Sequence, residues 1–493
     1  MRRINYFAMS LLASAALAFT GCSSEDVING GTEKNDAVDG YYMTLTVKTP
    51  KATGTRTVQE GAATLPGTSD ENFITKGTIY VYDGAKCVFS KDINATDWVT
   101  GEWGEDATEG TTKPIKVSVN NVVQNKVYQV YFLANVDNGA EKYPDPLKTN
   151  LTIDGDVASC SANQKFYMFN QYDSKKQLAH STVEFTEASR NEDQNVSATP
   201  INLDRVVARI DVPNTTSATT IKKKESTTTT KNIDIIENVQ FSGYALSNLS
   251  PQSYLVQNWT TSTTEPWKLN IPSFTSYDKT SAYYGTTYKA ENEQDWTTTA
   301  NEYVFENSTD EEANATSMYF KFKVNLKAAA TSENPADFTD GTFYRYNHTI
   351  YRSLKDLLAV TKADGSQDVW PFMKDGEAMT AEEAIALFKD ATTGNLKSES
   401  ELESLRSKYL IEVYRGGMAY YKQTIDDQYN PHSATGLYSI LRNSVYKLTV
   451  NNIWDLGKDV PNGPEPTDEY YYWMDVTVSV NPWVLNEQNV DLQ

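Results

Sequence analysis

The sequence predicts a mainly β, antiparallel protein with a few short helices, and three observations carry that expectation. The chain holds 31 tyrosines in 493 residues and many threonines, residue types that favour pleated strands over helices. Apolar residues recur with period two in run after run, as in Met43, Leu45 and Val47 with Thr44, Thr46 and Lys48 opposite, the pattern of a strand with one buried face. A capped, helix-like pattern occurs at 380–409 as the exception. The length suits two or three domains at roughly 100–200 residues each.

Residues 1–21 carry Arg2 and Arg3 ahead of an apolar run from Ile4 to Phe19, a secretory signal too short to span a membrane. Thr20-Gly21-Cys22 followed by Ser23-Ser24-Glu25-Asp26 looks like a bacterial lipobox, with Phe19 where Leu is more usual. Cys22 is the expected lipidation site; the alternative is an ordinary signal peptide with an incidental cysteine. Acyl chains there contribute about 0.8 kcal/mol per buried CH₂, enough to hold the chain on a membrane. From Cys22 to Gly40 the chain reads as a tether. Residues 42–48 form the first strand, and Thr49 to Arg56 follow as an exposed, easily nicked run.

Further strands are expected at Gly77–Tyr82, Ile115–Val119, Lys126–Leu133 and Arg205–Val212, joined by long polar connections as in an antiparallel sandwich. Residues 213–232, rich in Thr and Lys, read as a linker or protruding loop. The strand texture resumes at Ile233–Tyr244, Ser317–Val324, Gly341–Tyr346, Met418–Gln423 and Val445–Ile453. Within 380–409, Thr380 caps one helix and Ser400 with Glu403 makes a capping box for a second, both expected to pack on the body. Gly457 to Pro466 is a Pro/Gly hinge. Beyond it Met474, Val476, Val478 and Val480 alternate, then Pro482 and Trp483 lead an extended tail. A one-sided strand at the chain's end needs a partner, because alone it is an aggregation-prone edge.

Composition argues against several functions. Lys+Arg number 44 and Asp+Glu 65, a net charge of −21, so no surface is set up to neutralise phosphates and no nucleic-acid partner is expected. The three histidines, His180, His348 and His432, are isolated, and no zinc, nucleophile-elbow or phosphate-loop spacing occurs. Glu382-Glu383 and Asp426-Asp427 read as solvated faces. We therefore expect no catalytic residue, no metal and no cofactor. With Cys22 lipidated, Cys87 and Cys160 are either two free thiols or one disulfide.

Four segments resemble one family, the fimbrilins or major fimbrial subunits of the Bacteroidia-type (type V) pilins, in their Mfa-like branch. They are the lipobox at Cys22, YYMTLTVKTPKATGTR at 41–56, DRVVARIDV at 204–212, and LRNSVYKLTVNNIWDLG at 441–457 with VTVSVNPWVLNEQNVDL at 476–492. The resemblance implies two transthyretin-like antiparallel β-sandwich domains, 57–212 and 233–456, flanking the 213–232 segment and followed by a Pro-rich hinge and donor strand, 457–493. It implies export as an outer-membrane lipoprotein, removal of a 22–56 prosegment by an arginine-specific protease, and polymerisation into an extracellular fimbrium by strand exchange. Cleavage would fall between Arg56 and Thr57; Arg190, Arg205 and Arg209 are the competing sites. Partners would be copies of the same chain and other fimbrial subunits, with adhesion as the outcome.

The residues themselves read the same way. Met43, Leu45 and Val47 on the first strand and Met474, Val476, Val478 and Val480 on the last present the same face, so either can fill one slot in a sheet. Trp483 is a natural anchor for the second. The competing functions are a fimbrial tip or accessory adhesin, and a glycan-binding surface lipoprotein using Trp259, Trp267, Trp296 and Trp370. Presence of both Arg56 and a terminal strand favours the polymerising shaft subunit.

Overall fold

The computed structural model describes residues 40–48, 67–94, 97, 112–162, 165–172, 176–224, 230–260, 268–273, 296–328, 334–360, 372–374, 377–428, 430, 432–461 and 473–482. The molecule is mainly β with a few short helices.

Alternation sets the first strand. In β1 (Tyr41–Lys48) Tyr41, Met43, Leu45 and Val47 turn inward and every second residue outward. Eight further strands join it: β2 (Gly77–Asp83), β3 (Lys86–Ile93), β4 (Thr112–Val119), β5 (Val127–Ala134), β6 (Met168–Asn170), β7 (Ser181–Glu184), β8 (Val196–Ser197) and β9 (Ile201–Arg205). Their order is β3-β2-β5-β6-β9-β1-β4, with β7 on β5 and β8 on β1. Side chains from both ends of that order, Ile79 and Val81 from β2 and Leu45, Ile115 and Val117 from β1 and β4, share one apolar interior with Phe132, Phe166 and Leu203. The sheet therefore closes over a single core in the manner of a sandwich.

Residues 205–212 are not the single strand the sequence predicts. Arg205 ends β9, and β10 (Ala208–Ile210) belongs to a second sheet. Val206 and Val207 make the crossing fully buried. The Arg205 guanidinium, also fully buried, donates to the Glu71 carbonyl (2.9 Å), the Asn443 Oδ1 (3.1 Å) and the Asn72 side chain. Each guanidinium nitrogen thus has an acceptor, without which burying the charge would be prohibitive.

The second body contains β10, β11 (Ile221–Lys224), β12 (Thr230–Asn232), β13 (Ile236–Ser247), β14 (Glu302–Val304), β15 (Ser317–Leu326), β16 (Met418–Thr424), β17 (Ser444–Trp454) and β18 (Trp473–Pro482). One sheet runs β12-β11-β17-β10-β14 with β18 on β17, and the other β13-β15-β16. Tyr446, Leu448 and Val450 of the first face Tyr244, Phe320, Phe322 and Val324 of the second across a common core. Within 213–232, which the sequence reads as linker or loop, β11 and β12 are hydrogen-bonded into the sheet, because buried Ala218 and Ile221 anchor them to that core.

Both predicted helices are present. Thr380 caps Ala381–Phe388 in a box with Glu383. The second helix, Glu399–Tyr409, starts earlier than predicted: its capping box is Ser398 with Glu401 rather than Ser400 with Glu403. Ala384, Phe388, Leu402 and Tyr409 pack with Phe338, Tyr344, Phe372 and Val413 in a separate small core.

Candidate functional site

β1 is an inner strand. On one side it pairs antiparallel with β4 along its whole length, from Tyr41 opposite Val119 to Lys48 opposite Thr112. On the other it pairs parallel with β8 at Met43 and Thr44 and with β9 at Val47 and Lys48. Between those two short ladders the Ala198 N–H donates to the Thr44 carbonyl at 2.9 Å. Met43, Leu45 and Val47 are 0% exposed and Tyr41 6%. Tyr41 lies against Phe185 with ring centroids 5.5 Å apart. The Arg190 guanidinium sits 4.9 Å above the Tyr41 ring and donates to its hydroxyl at 3.0 Å. On the outward face Thr44 donates to Asn195 Oδ1 at 2.6 Å, and Lys116, opposite Thr44, pairs with Glu192 at 3.2 Å.

A buried lock begins downstream of β1. Thr68 caps the helical turn Ser69–Asn72 in a capping box with Glu71. The Glu71 carboxylate accepts from Arg209 Nη1 at 2.8 and 3.0 Å and from the Tyr303 hydroxyl at 2.7 Å. Burial alone would push its pKa up, but the Arg209 and Arg205 guanidinium groups and the hydrogen bonds to Arg209 and the Thr68 backbone bring it below the ordinary value. Arg209 also donates to Asp211 at 2.6 Å. The segment just after β1 is thus fastened to β9, β10 and β14. Neither Glu71 nor Arg190 was singled out for this from the sequence; Thr68-x-x-Glu71 is a readable capping signal, whereas the arginine partners are set by tertiary packing.

Among the described residues β18 has one strand neighbour. It pairs antiparallel with β17 from Trp473 opposite Trp454 to Pro482 opposite Ser444, with a bulge between Val450 and Asn452. Val476 is buried in the second core, Met474 packs at its margin, and the Thr477 hydroxyl accepts from Asn451 Nδ2 at 2.7 Å. Nothing is described of the side chains of Val478, Val480 and Pro482, and Trp483 lies outside the described residues, as do Cys22, Arg56 and Thr57. Met43, Leu45 and Val47 on the one hand and Met474 and Val476 on the other therefore serve different cores within this chain.

Among the competing arginines, Arg205 and Arg209 are buried; Arg190 is partly exposed but engaged with Tyr41 and with Glu187 at 3.1 Å. Cys87 and Cys160 are both free, and burial pushes the Cys160 thiol up to about 12. Asp426 and Asp427 are not a solvated pair. Asp427 is buried and accepts from the Tyr446 hydroxyl at 2.7 Å, while burial raises the Asp426 carboxyl. Of the four tryptophans weighed for glycan stacking, Trp296 is buried against Tyr420 and beneath Lys321. Trp259 borders a cavity of about 290 Å³ lined also by Tyr172, Gln257 and Asn258, but Lys176 Nζ lies 4.5 Å over its ring. Trp267 and Trp370 lie outside the described residues. Among the described residues no cluster of His, Cys, Asp or Glu is placed to hold a metal ion, and no helix is long and apolar enough to cross a membrane.

Residues 412–489, which span β16, β17 and β18, match the family described as major fimbrial subunit protein type IV, fimbrillin, C-terminal. No curated protein matches the chain. Among solved structures, a fimbrilin from Porphyromonas gingivalis W83 is 16% identical, covering 92% of this chain and 100% of its own, with a TM-score of 0.37. A fimbrial assembly protein from Parabacteroides distasonis is 14% identical, covering 59% of this chain and 83% of its own, with a TM-score of 0.30. Scores this low do not establish a common fold, and the architecture above stands on its own geometry. The region in which β18 pairs with β17 is thus similar to the C-terminal part of the fimbrillin family of major fimbrial subunit proteins.

Proposed function

We propose that the chain is a structural subunit of cell-surface fimbriae, exported as a lipoprotein through Cys22, cleaved after Arg56 and polymerised by exchange of strands between copies. Its partners on this reading are copies of itself, other fimbrial subunits and an arginine-specific protease. It passes from the outer membrane to an extracellular fimbrium, where it supports adhesion.

The observation that carries the reading is the placement of β1. It lies between two neighbours in the sheet, and Arg56 lies between it and the Glu71 lock. One cut there turns β1 into a peptide held only by noncovalent contacts while the rest of the subunit stays fastened. Burial of four side chains contributes roughly 1.5–3 kcal/mol each, so losing β1 opens a slot about as costly as a small domain is stable. The C-terminal strand of another copy can fill it by strand addition. Among the described residues of its own chain that strand pairs on one edge, whereas in the slot it pairs on both. The contact joins unlike surfaces, so it propagates as a filament rather than closing. Removing residues 1–56 takes six Lys/Arg and five Asp/Glu, leaving a charge of −22 that keeps fibres apart.

The test is electron microscopy of purified precursor treated with an arginine-specific protease. Filaments are expected from the wild type, and none from Arg56→Ala or from a chain lacking 473–493. Normal filaments from either variant overturn the proposal.

A further inference from the structure

Resting on that reading, we infer that the slot held by β1 selects an aromatic side chain at one end, and that residues 472–479 of a second copy enter it in β1's own register. Tyr472 then takes the place of Tyr41.

The two segments correspond position by position. Tyr41-Tyr42-Met43-Thr44-Leu45-Thr46-Val47-Lys48 is answered by Tyr472-Trp473-Met474-Asp475-Val476-Thr477-Val478-Ser479. Tyrosine, methionine, threonine and valine recur in place, and the remaining inward position exchanges leucine for valine. The direction matches too, since a donor running as β1 does is antiparallel to β4 and parallel to β9.

Two features of the slot discriminate this register from its neighbours. The first is the aromatic pocket. Phe185 packs on the ring at 5.5 Å, the Arg190 guanidinium stacks at 4.9 Å, and Arg190 donates to the phenol oxygen at 3.0 Å. A second ring, Tyr128, backs Phe185 at 5.8 Å. Cation–π contact and a charged donor together fit a phenol. The second feature is Lys116, which faces Thr44. In the inferred register it faces Asp475, an opposite-charge cross-strand pair that Thr44 cannot supply. A shift of two residues one way places Met474 in the aromatic pocket and Thr477 opposite Lys116, losing both features. The opposite shift forces Tyr472 into the fully enclosed place of Met43. Odd shifts turn the apolar face outward. At Gly40 a Cβ would lie 2.5 Å from the Val119 carbonyl, and the chain after residue 463 contains no glycine, so an entering strand joins the ladder only at the Tyr41 position.

The register is tested by cysteine pairs in cleaved, full-length subunits carrying Cys87→Ser. Filaments of Lys116→Cys/Asp475→Cys are expected to give a ladder of intersubunit disulfides on a non-reducing gel, and Lys116→Cys/Thr477→Cys to give none. Crosslinking through Thr477→Cys alone overturns the register while leaving strand exchange intact. Formation of filaments in which neither engineered pair crosslinks places another segment in the slot and overturns the register equally. Absence of filaments from cleaved wild type removes exchange itself. Independently, Tyr472→Ala is expected to slow elongation about tenfold or more, the effect of truncating an anchoring aromatic, with Tyr472→Phe far less affected. Equal rates for Tyr472→Ala and wild type refute the aromatic selection.

Discussion

Leu45→Ala separates the precursor from the assembled state. Leu45 is 0% exposed and sits opposite Ile115 in the middle of β1. Truncation there removes the transferred methyl groups and leaves a cavity, at a cost of about 2–5 kcal/mol. In the precursor that cost appears in full as a lower urea midpoint at unchanged slope. After cleavage at Arg56, β1 is retained only by its contacts, so the same loss speeds its departure by about 30-fold to several thousand-fold, at 1.36 kcal/mol per decade. The filament, in which β1 has been replaced, is expected to melt at the wild-type temperature. Three assays on one variant read these effects: urea denaturation of the precursor, timed release of the prosegment peptide by size exclusion, and thermal dissociation of filaments. Filaments of Leu45→Ala that melt lower by an amount matching the precursor's loss would mean that β1 is still in its slot, and strand exchange would be refuted.

Glu71→Gln leaves Arg209 buried without its carboxylate partner and is expected to destabilise the subunit by about 3–5 kcal/mol, read by chemical denaturation. The Glu71 pKa is lowered in the fold, so its contribution is complete above the ordinary value of 4.5 and lost as pH falls through the folded-state value. The acid limb of a stability–pH profile should therefore be shallower in Glu71→Gln than in wild type. Cys160, buried with its thiol pushed up to about 12, should resist alkylation at pH 8 until the chain unfolds, while half-buried Cys87 reacts sooner in a mass-spectrometric time course. Leu410 ends a helix in the left-handed region at φ 48° and is 58% exposed, so Leu410→Gly should raise the melting temperature, stabilising by about 1 kcal/mol. An excess of the peptide Tyr41–Lys48 should cap filament growth from cleaved subunits, and the same residues scrambled to break the alternation should not; equal inhibition by both would count against a slot specific for β1.

The strands were legible wherever one face alone is buried. β1 shows this: four inward residues alternate with four outward ones on the expected faces, and the strand merely begins one residue earlier, at Tyr41. The same signal failed at 205–212 for a physical reason. Alternation reports which way a side chain faces, not which sheet the backbone has joined, and here the chain crosses between cores at Val206 and Val207 without breaking the pattern. At 398–403 two overlapping Ser-x-x-Glu frames compete. The earlier one prevails with Leu402 and Tyr409 directed into their core and with Glu399 in contact with Arg406 at 2.8 Å and Arg415 at 2.5 Å. Glu71 and Arg209 lie too far apart in the chain for local spacing to relate them, and Asp427 reads as surface until Tyr446 is seen above it.

The two ends of the chain carry nearly the same strand, yet the fold gives them unequal neighbours. Among the described residues β1 is paired on both edges and β18 on one. While β1 remains tethered, it competes for its slot at the effective concentration of a short linker, in the millimolar range, which no free copy matches. Severing that tether leaves the slot's affinity unchanged and removes only the local advantage of its first occupant. From then on a donor strand that pairs with β17 alone among the described residues gains a second ladder in the slot, and the departing peptide has none to regain. On the proposed function, polymerisation would therefore be driven by the difference between one paired edge and two, and timed by a single peptide bond between β1 and the Glu71 lock.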